Sequence, residues 1–305
     1  MLNEKDYFSK VRILDGGMGQ ELLARGIESK GTLWSASALL DENYHQLVLD
    51  THLDFIDAGA EVIVTTTFST RRMKLRENNI EEKFEYLNIK AGEIAQKAKM
   101  LNEGVFVAGG LPPQNFVYQA DLRKSDEIYH NFYDQAKLIN PYIDFFYLDV
   151  LSSVNEIRQA IRAIKKFKKP YLIGAHISEG TRLPSDEKIS DIIQKIDHDN
   201  LMGLMLSCVS PENFELNLKE LQSLDLPFGF KLNGFKLTNP EFGYNNSYTK
   251  SISKNPNEFL GKRKDLTPKK FAKFAEKFKS SGATILGGCC ETNINHINSI
   301  CKLKN

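Results

Sequence analysis

The sequence predicts a closed (β/α)8 barrel with its chemistry at the carboxyl ends of the strands. Three observations carry the reading. Across 305 residues, short apolar runs alternate eight times with amphipathic or charged stretches. Most of the runs lack polar alternation, as strands covered on both faces do. No linker, low-complexity segment or abrupt change of composition interrupts them, so residues 1–305 read as one domain. Strand–helix alternation argues for a parallel sheet. Eight such units suit a barrel without exposed edges better than an open sheet.

The elements follow in order. Arg12–Gly17 is a short strand, and Asp41–Asp57 an amphipathic helix that stops at Gly59. Ala60–Phe68 is a β-branched strand, followed by a helix over Lys83–Asn102. Val105–Leu111 is a strand ended by Pro112-Pro113. Ser125 is a candidate cap for a helix to Ile139. Tyr142–Val150 is a strand and Val154–Phe167 a basic helix. Pro170–Ile177 is a strand, and Ser185 a candidate cap for a helix to Ile196. Leu201–Cys208 is a strand. Pro211 sits at a first helical position ahead of Glu212–Leu224. Pro227–Leu232 is a strand, Thr267-Pro268 opens a helix to Ser280, Ala283–Leu286 is the last strand, and Asn293–Leu303 the last helix. Two connections are long. Lys30–Leu40 carries Trp34, and Phe235–Leu266 carries Phe242, Tyr244, Tyr248 and Phe259.

Composition excludes several classes. Hydrophobic residues make up 41%, charged residues 26%, and the net charge is +1. That balance argues against an electrostatic nucleic-acid or membrane partner. No apolar run reaches the roughly 18–20 residues of a membrane span, and Met1–Lys10 has no apolar signal core. A cytoplasmic location is the expectation. Nothing in the pattern assigns an oligomeric state. The four cysteines all fall in the last third, a clustering that points to metal or catalysis in a reducing compartment.

In a barrel, position along the chain becomes position in space. The strand ends Asp15-Gly16-Gly17, Thr66-Thr67-Phe68, Gly109-Gly110, Asp149, His176, Cys208, Asn233-Gly234 and Cys289-Cys290 ring one mouth. Only one strand separates Cys208 from Cys289-Cys290, and barrel neighbours lie roughly 5 Å apart. Three sulfurs can therefore share one ion at about the 2.3 Å of a Zn–S bond. Three thiolates with an open fourth position suit a catalytic site that binds a substrate thiol as thiolate. The bland alternatives are core cysteines or a disulfide within the adjacent pair. Cys301 sits away from the mouth. His176 reads as a satisfied pocket or core histidine rather than an acid–base.

These pieces resemble the homocysteine S-methyltransferase family. The matching residues are Leu14 to Leu22, Gly26, Leu33-Trp34-Ser35, His52 to Ala60, the Thr65–Phe68 strand end, Val107 to Gly110, Cys208, Asn233-Gly234 and Gly287-Gly288-Cys289-Cys290. They span almost the whole chain. The resemblance implies a (β/α)8 barrel with Zn2+ held by Cys208, Cys289 and Cys290. It implies a homocysteine sulfur that binds zinc and then takes a methyl group from a small donor, giving methionine. S-methylmethionine is the first candidate donor and betaine the second. The alternatives are a module methylated by a separate corrinoid protein, or a non-catalytic relative that binds zinc or a thiol amino acid.

The same resemblance implies the substrate pocket. Asp15, Gly16, Gly17, Met18, Thr67, Asp149, Ser207 and Asn233 are its candidates. The Asp15–Gly19 turn lacks a full G-x-G-x-x-G pattern, so it reads as a donor of backbone N–H groups to the substrate carboxylate rather than as a nucleotide loop. Asp15 and Asp149 would face the ammonium group. Two positions depart from the family pattern: Asp149 stands where glutamate is usual, and Ser207 where asparagine is usual. Trp34, Phe242, Tyr244 and Tyr248 are candidates for a cationic methyl donor, since aromatic faces attract such groups.

Overall fold

The structure, a computed structural model, describes residues 4–237 and 258–304. Its eight strands are β1 (Arg12–Ile13), β2 (Val62–Val64), β3 (Phe106–Leu111), β4 (Phe145–Leu151), β5 (Tyr171–Ala175), β6 (Leu201–Val209), β7 (Phe228–Leu232) and β8 (Ile285–Gly288). They pair in parallel in the order β1-β8-β7-β6-β5-β4-β3-β2. The two ends of that series also meet. Glu61 N donates to Ile13 O at 2.8 Å and Asp15 N to Val62 O at 3.0 Å, closing the (β/α)8, or TIM, barrel that the sequence predicts.

Two packed layers result. Outside, side chains such as Ile63, Val107, Phe146, Ile173, Leu206, Phe230 and Leu286 meet the helices. Inside, Leu14, Val62, Ala108, Phe145, Tyr147, Leu172, Met205 and Ile285 fill the barrel. The split follows the period-2 alternation of strand side chains. A 3-10 turn at Glu4–Ser9 closes the floor with buried Tyr7 and Phe8.

Boundaries differ where side chains compete with the ladder. β2 was expected over Ala60–Phe68 and ends at Val64. There, Thr65 Oγ1 accepts from Gly110 N at 3.0 Å and Thr67 Oγ1 donates to Gly110 O at 2.7 Å, replacing backbone pairing. β1 stops at Ile13 because the chain turns into a helix at Met18–Ala24. β8 lies two residues beyond its expected start, at Ile285, its glycines still pairing with Lys231 and Leu232. The connection Lys30–Leu40 is partly helical, over Ala36–Leu40, and an unforeseen helix occupies Arg72–Glu77.

Caps divide the same way. Thr267 and Ser210 cap their helices, each hydroxyl accepting from the backbone three residues on. Ser125 does not cap; it is the first helical residue and donates to Asn155. Ser185 donates to Glu187, and its helix begins later, at Ile189. Both ends of the long Phe235–Leu266 connection are pinned, since Phe235 pairs with Lys262 and Arg263 N donates to Gly234 O. Phe242, Tyr244 and Tyr248 lie outside the described residues. Among those described, no helix is long and apolar enough to cross a membrane.

Candidate metal centre

Two bulges aim the site. On β6, Met205 faces the barrel interior, so Ser207 does too and Cys208 should face out. The β6–β7 register instead skips Cys208, pairing Ser207 with Lys231 and Val209 with Leu232. Cys208 takes a left-handed φ of 54°, which turns its thiol back toward the mouth. On β4 the register shifts between Leu148 and Leu151, and Val150 has φ 62°. Both bulges sit at a chemically loaded residue, Cys208 and the Asp149-Val150 pair.

On β8, alternation from inward Ile285 through Gly287 points Cys289 inward, and Cys290 follows at the turn. The Sγ atoms of Cys208, Cys289 and Cys290 all lie within 4.8 Å of one another. Among the described residues no disulfide joins any of the four cysteines, the adjacent pair included. Cys301 is half-buried in the carboxyl-terminal turn, away from the triad. Tyr118 Oη is 3.2 Å from Cys208 Sγ, and Asn233 Nδ2 donates to Cys208 O and stands 3.8 Å from its sulfur. Burial opposes ionisation of Cys208. Hydrogen bonds from Cys289, Cys290 and Tyr118 outweigh it and hold this thiol well below the usual range. Cys289 and Cys290 are pushed up, chiefly by their hydrogen bonds to Cys208.

The triad opens into a cleft walled by Asp15, Gly16, Gly17, Met18, Gln20, Trp34, Phe68, Tyr118, Asp149 and Lys231. Asp15 Oδ2 accepts from Val64 N at 2.8 Å, and Asp15 Oδ1 from Lys231 Nζ at 2.6 Å. Asp149 is pushed up to about 7 by desolvation first and by the nearby Cys289 second, with Lys231 pulling the other way. Gln20 Oε1 and Nε2 and Trp34 Nε1 are buried and lack hydrogen-bond partners among the described residues.

Several expected pocket residues lie behind the wall. Thr67 is fully buried with its hydroxyl committed to Gly110. Ser207 is fully buried and shares a hydrogen bond with the Tyr147 hydroxyl at 2.5 Å. That contact crosses β5 over Gly174, where a Cβ would stand 2.4 Å from Ser207 Oγ. Asn233 serves Cys208, and its Oδ1 accepts from Phe235 N. In the Asp15–Gly19 turn, Gly17 N already donates to Thr292 O and Met18 N to Gly16 O. His176 is satisfied as expected. Its ring nitrogens meet Ser207 O and Ser178 Oγ, burial holds it at about 4, and its ring packs 4.5 Å from that of Tyr118. Lys231 and Tyr118 went unpredicted. A lysine inside the apolar run Phe228–Leu232 was the available signal, because a buried charge demands a partner.

A closed barrel whose strand-end thiols converge beside a charged cleft defines an enzyme of thiol chemistry. The family model described as homocysteine S-methyltransferase matches residues 12–303, and the chain belongs to that family of methyltransferases. It is 27% identical over 319 residues to Homocysteine S-methyltransferase 2 of Saccharomyces cerevisiae, covering 95% of this chain and 93% of that protein. It is 24% identical over 307 residues to the Homocysteine S-methyltransferase of Escherichia coli, covering 92% and 91%. The crystal structure of the metallated homocysteine methyltransferase MmuM from Escherichia coli matches with a TM-score of 0.78 at 19% identity, over 97% of this chain and 96% of that one. This last likeness speaks to the fold.

Proposed function

We propose that the protein transfers a methyl group to the thiol of homocysteine, giving methionine, with zinc held by Cys208, Cys289 and Cys290. S-methylmethionine is the first donor and betaine the second. The observation that carries the reading is the convergence of three thiols at the head of the cleft. Sulfurs around one tetrahedral zinc stand about 3.8 Å apart at 2.3 Å bonds, within the spread seen here. A three-thiolate donor set also suits a soft or borderline ion. Bound there, zinc supplies the acidity that keeps a coordinated thiol ionised at neutral pH.

The chain's own residues do the rest. Tyr118 and Asn233 hold Cys208 in its bulge, and His176 backs Tyr118. Asp149, on the cleft wall, takes the ammonium group of the acceptor. Trp34, Phe68 and Tyr118 present aromatic surface to an onium donor, and Gln20 and the Trp34 indole N–H offer unused hydrogen bonds. The acceptor sulfur attacks the methyl carbon as the carbon–heteroatom bond breaks. The donor leaves with that bond's electron pair as a neutral sulfide or amine, so the transfer needs no proton. Holding sulfur and methyl in line is the main catalytic contribution.

The test is to measure zinc in the purified protein and methionine formation from homocysteine with S-methylmethionine, betaine and a methylated corrinoid protein in turn. Turnover with a sulfonium or betaine donor is expected. One zinc per chain without turnover by any of the three would overturn the reading.

A further inference from the structure

We propose that Lys231 sets the specificity for the acceptor, its ammonium group binding the carboxylate of a thiol substrate whose sulfur lies at the cysteine triad. The inference rests on the homocysteine reading above and names how the pocket recognises that acceptor.

Lys231 is 6% exposed and lines the cleft. An ammonium group carries three donors. One of them goes to Asp15 Oδ1 at 2.6 Å, and among the described residues the ammonium group makes no other hydrogen bond. The Tyr147 ring centroid lies 5.9 Å from Nζ, and the Asp149 carboxyl and the Cys289 sulfur act on the ammonium group electrostatically. A buried cation with donors to spare, facing a cleft, calls for an acceptor from the ligand.

The path of the side chain explains its placement. Lys231 is on β7 and Asp15 follows β1, with β8 between them. Lys231 is paired with Gly287 of β8. A Cβ at 287 would stand 3.2 Å from Lys231 Cγ and 2.9 Å from Leu14 Cβ. The bare glycine therefore gives the lysine stem its way across β8 into the pocket.

Other groups that could take the two ends of an amino acid are committed within the fold or uncharged. Asp15 has one oxygen on Lys231 and the other on Val64 N, so it positions Lys231 rather than holding the substrate ammonium. That group falls to Asp149. The Gly17 and Met18 amides are already engaged within the fold, and Lys231 is the one cation among the described residues of the cleft wall, which assigns the carboxylate to it ahead of the neutral Gln20 and Trp34 donors.

The test titrates zinc-loaded protein with three thiols by calorimetry: homocysteine, 3-aminopropane-1-thiol, which lacks the carboxylate, and 4-sulfanylbutanoate, which lacks the amine. The wild type should bind homocysteine about ten- to a hundredfold more tightly than 3-aminopropane-1-thiol, the worth of one charge-assisted hydrogen bond. Lys231→Met should bring the two within about threefold while leaving zinc content and 3-aminopropane-1-thiol affinity unchanged. A folded, zinc-loaded Lys231→Met that keeps the preference overturns the proposal. So does a wild type with no preference, a result that needs no variant. Absence of methyl transfer to homocysteine would strike the functional reading alone, since the binding comparison judges Lys231 separately.

Discussion

The Asp15–Lys231 pair can be weighed by a double-mutant cycle. Its atoms are 2.6 Å apart, and the side chains are only 1% and 7% exposed. At that burial, removing one partner leaves a charge in a poor solvent, and such losses run about 3–5 kcal/mol. Asp15→Asn should sit near the lower end, about 3 kcal/mol, because the amide oxygen keeps the Val64 N bond and Asp149 still faces the lysine. Lys231→Met keeps the stem's volume over Gly287 and strands Asp15 with one backbone donor, again about 3 kcal/mol. The double variant strands no charge and should lose about 2–3 kcal/mol rather than the sum, a coupling of about 3–4 kcal/mol. Urea unfolding of the four chelator-treated proteins measures this without the contribution of metal binding. Single losses below about 1 kcal/mol, or losses that add within about 0.5 kcal/mol, would refute the claim that the pair is dry and mutually dependent.

Three further outcomes are expected. Cys289→Ala should lose both bound zinc and methyl transfer, while one zinc per chain in the purified variant would show that the triad is not the ligand set. Asp149 is raised from 3.8 to about 7, so the folded protein keeps a proton that the unfolded chain releases. Metal-free stability should therefore fall as pH rises from about 4 to about 7, at up to about 1.4 kcal/mol per unit, and Asp149→Asn should flatten that slope in urea unfolding; an unchanged slope would assign it elsewhere. Gly174→Ala would place a Cβ 2.4 Å from Ser207 Oγ and 2.7 Å from Tyr147 Cε2, so thermal unfolding should show a loss of about 1–3 kcal/mol, and a neutral result would mean that the Tyr147–Ser207 contact is soft.

What could be read from the sequence, and what could not, divides along a physical line. The barrel was legible because burial on both faces writes itself as apolar runs, and burial is a property of single residues. Cys289 was legible because simple alternation carries Ile285 through Gly287 to it. Cys208 converges for a reason that no residue type announces: an extra residue in β6 and a φ of 54° reverse the alternation that would have turned it outward. Tyr118 reaches Cys208 from a loop, with φ 67°, again a backbone fact.

Asp15 and Asp149 show the same limit from the other side. Both are aspartates at strand ends on the cleft wall, and by residue type they invite the same role toward an ammonium group. What separates them is register across a third strand. β8 offers Gly287 beside Lys231, so the lysine crosses and takes Asp15. Asp149, aimed by the Val150 bulge, keeps its carboxylate facing the cleft and the triad. The charge pattern of the pocket is thus decided by a residue with no side chain. It follows that Gly287→Ala, which leaves every charged group in the chain, should weaken homocysteine binding by displacing Lys231; unchanged affinity in a zinc-loaded Gly287→Ala protein would show that the lysine reaches Asp15 by another path.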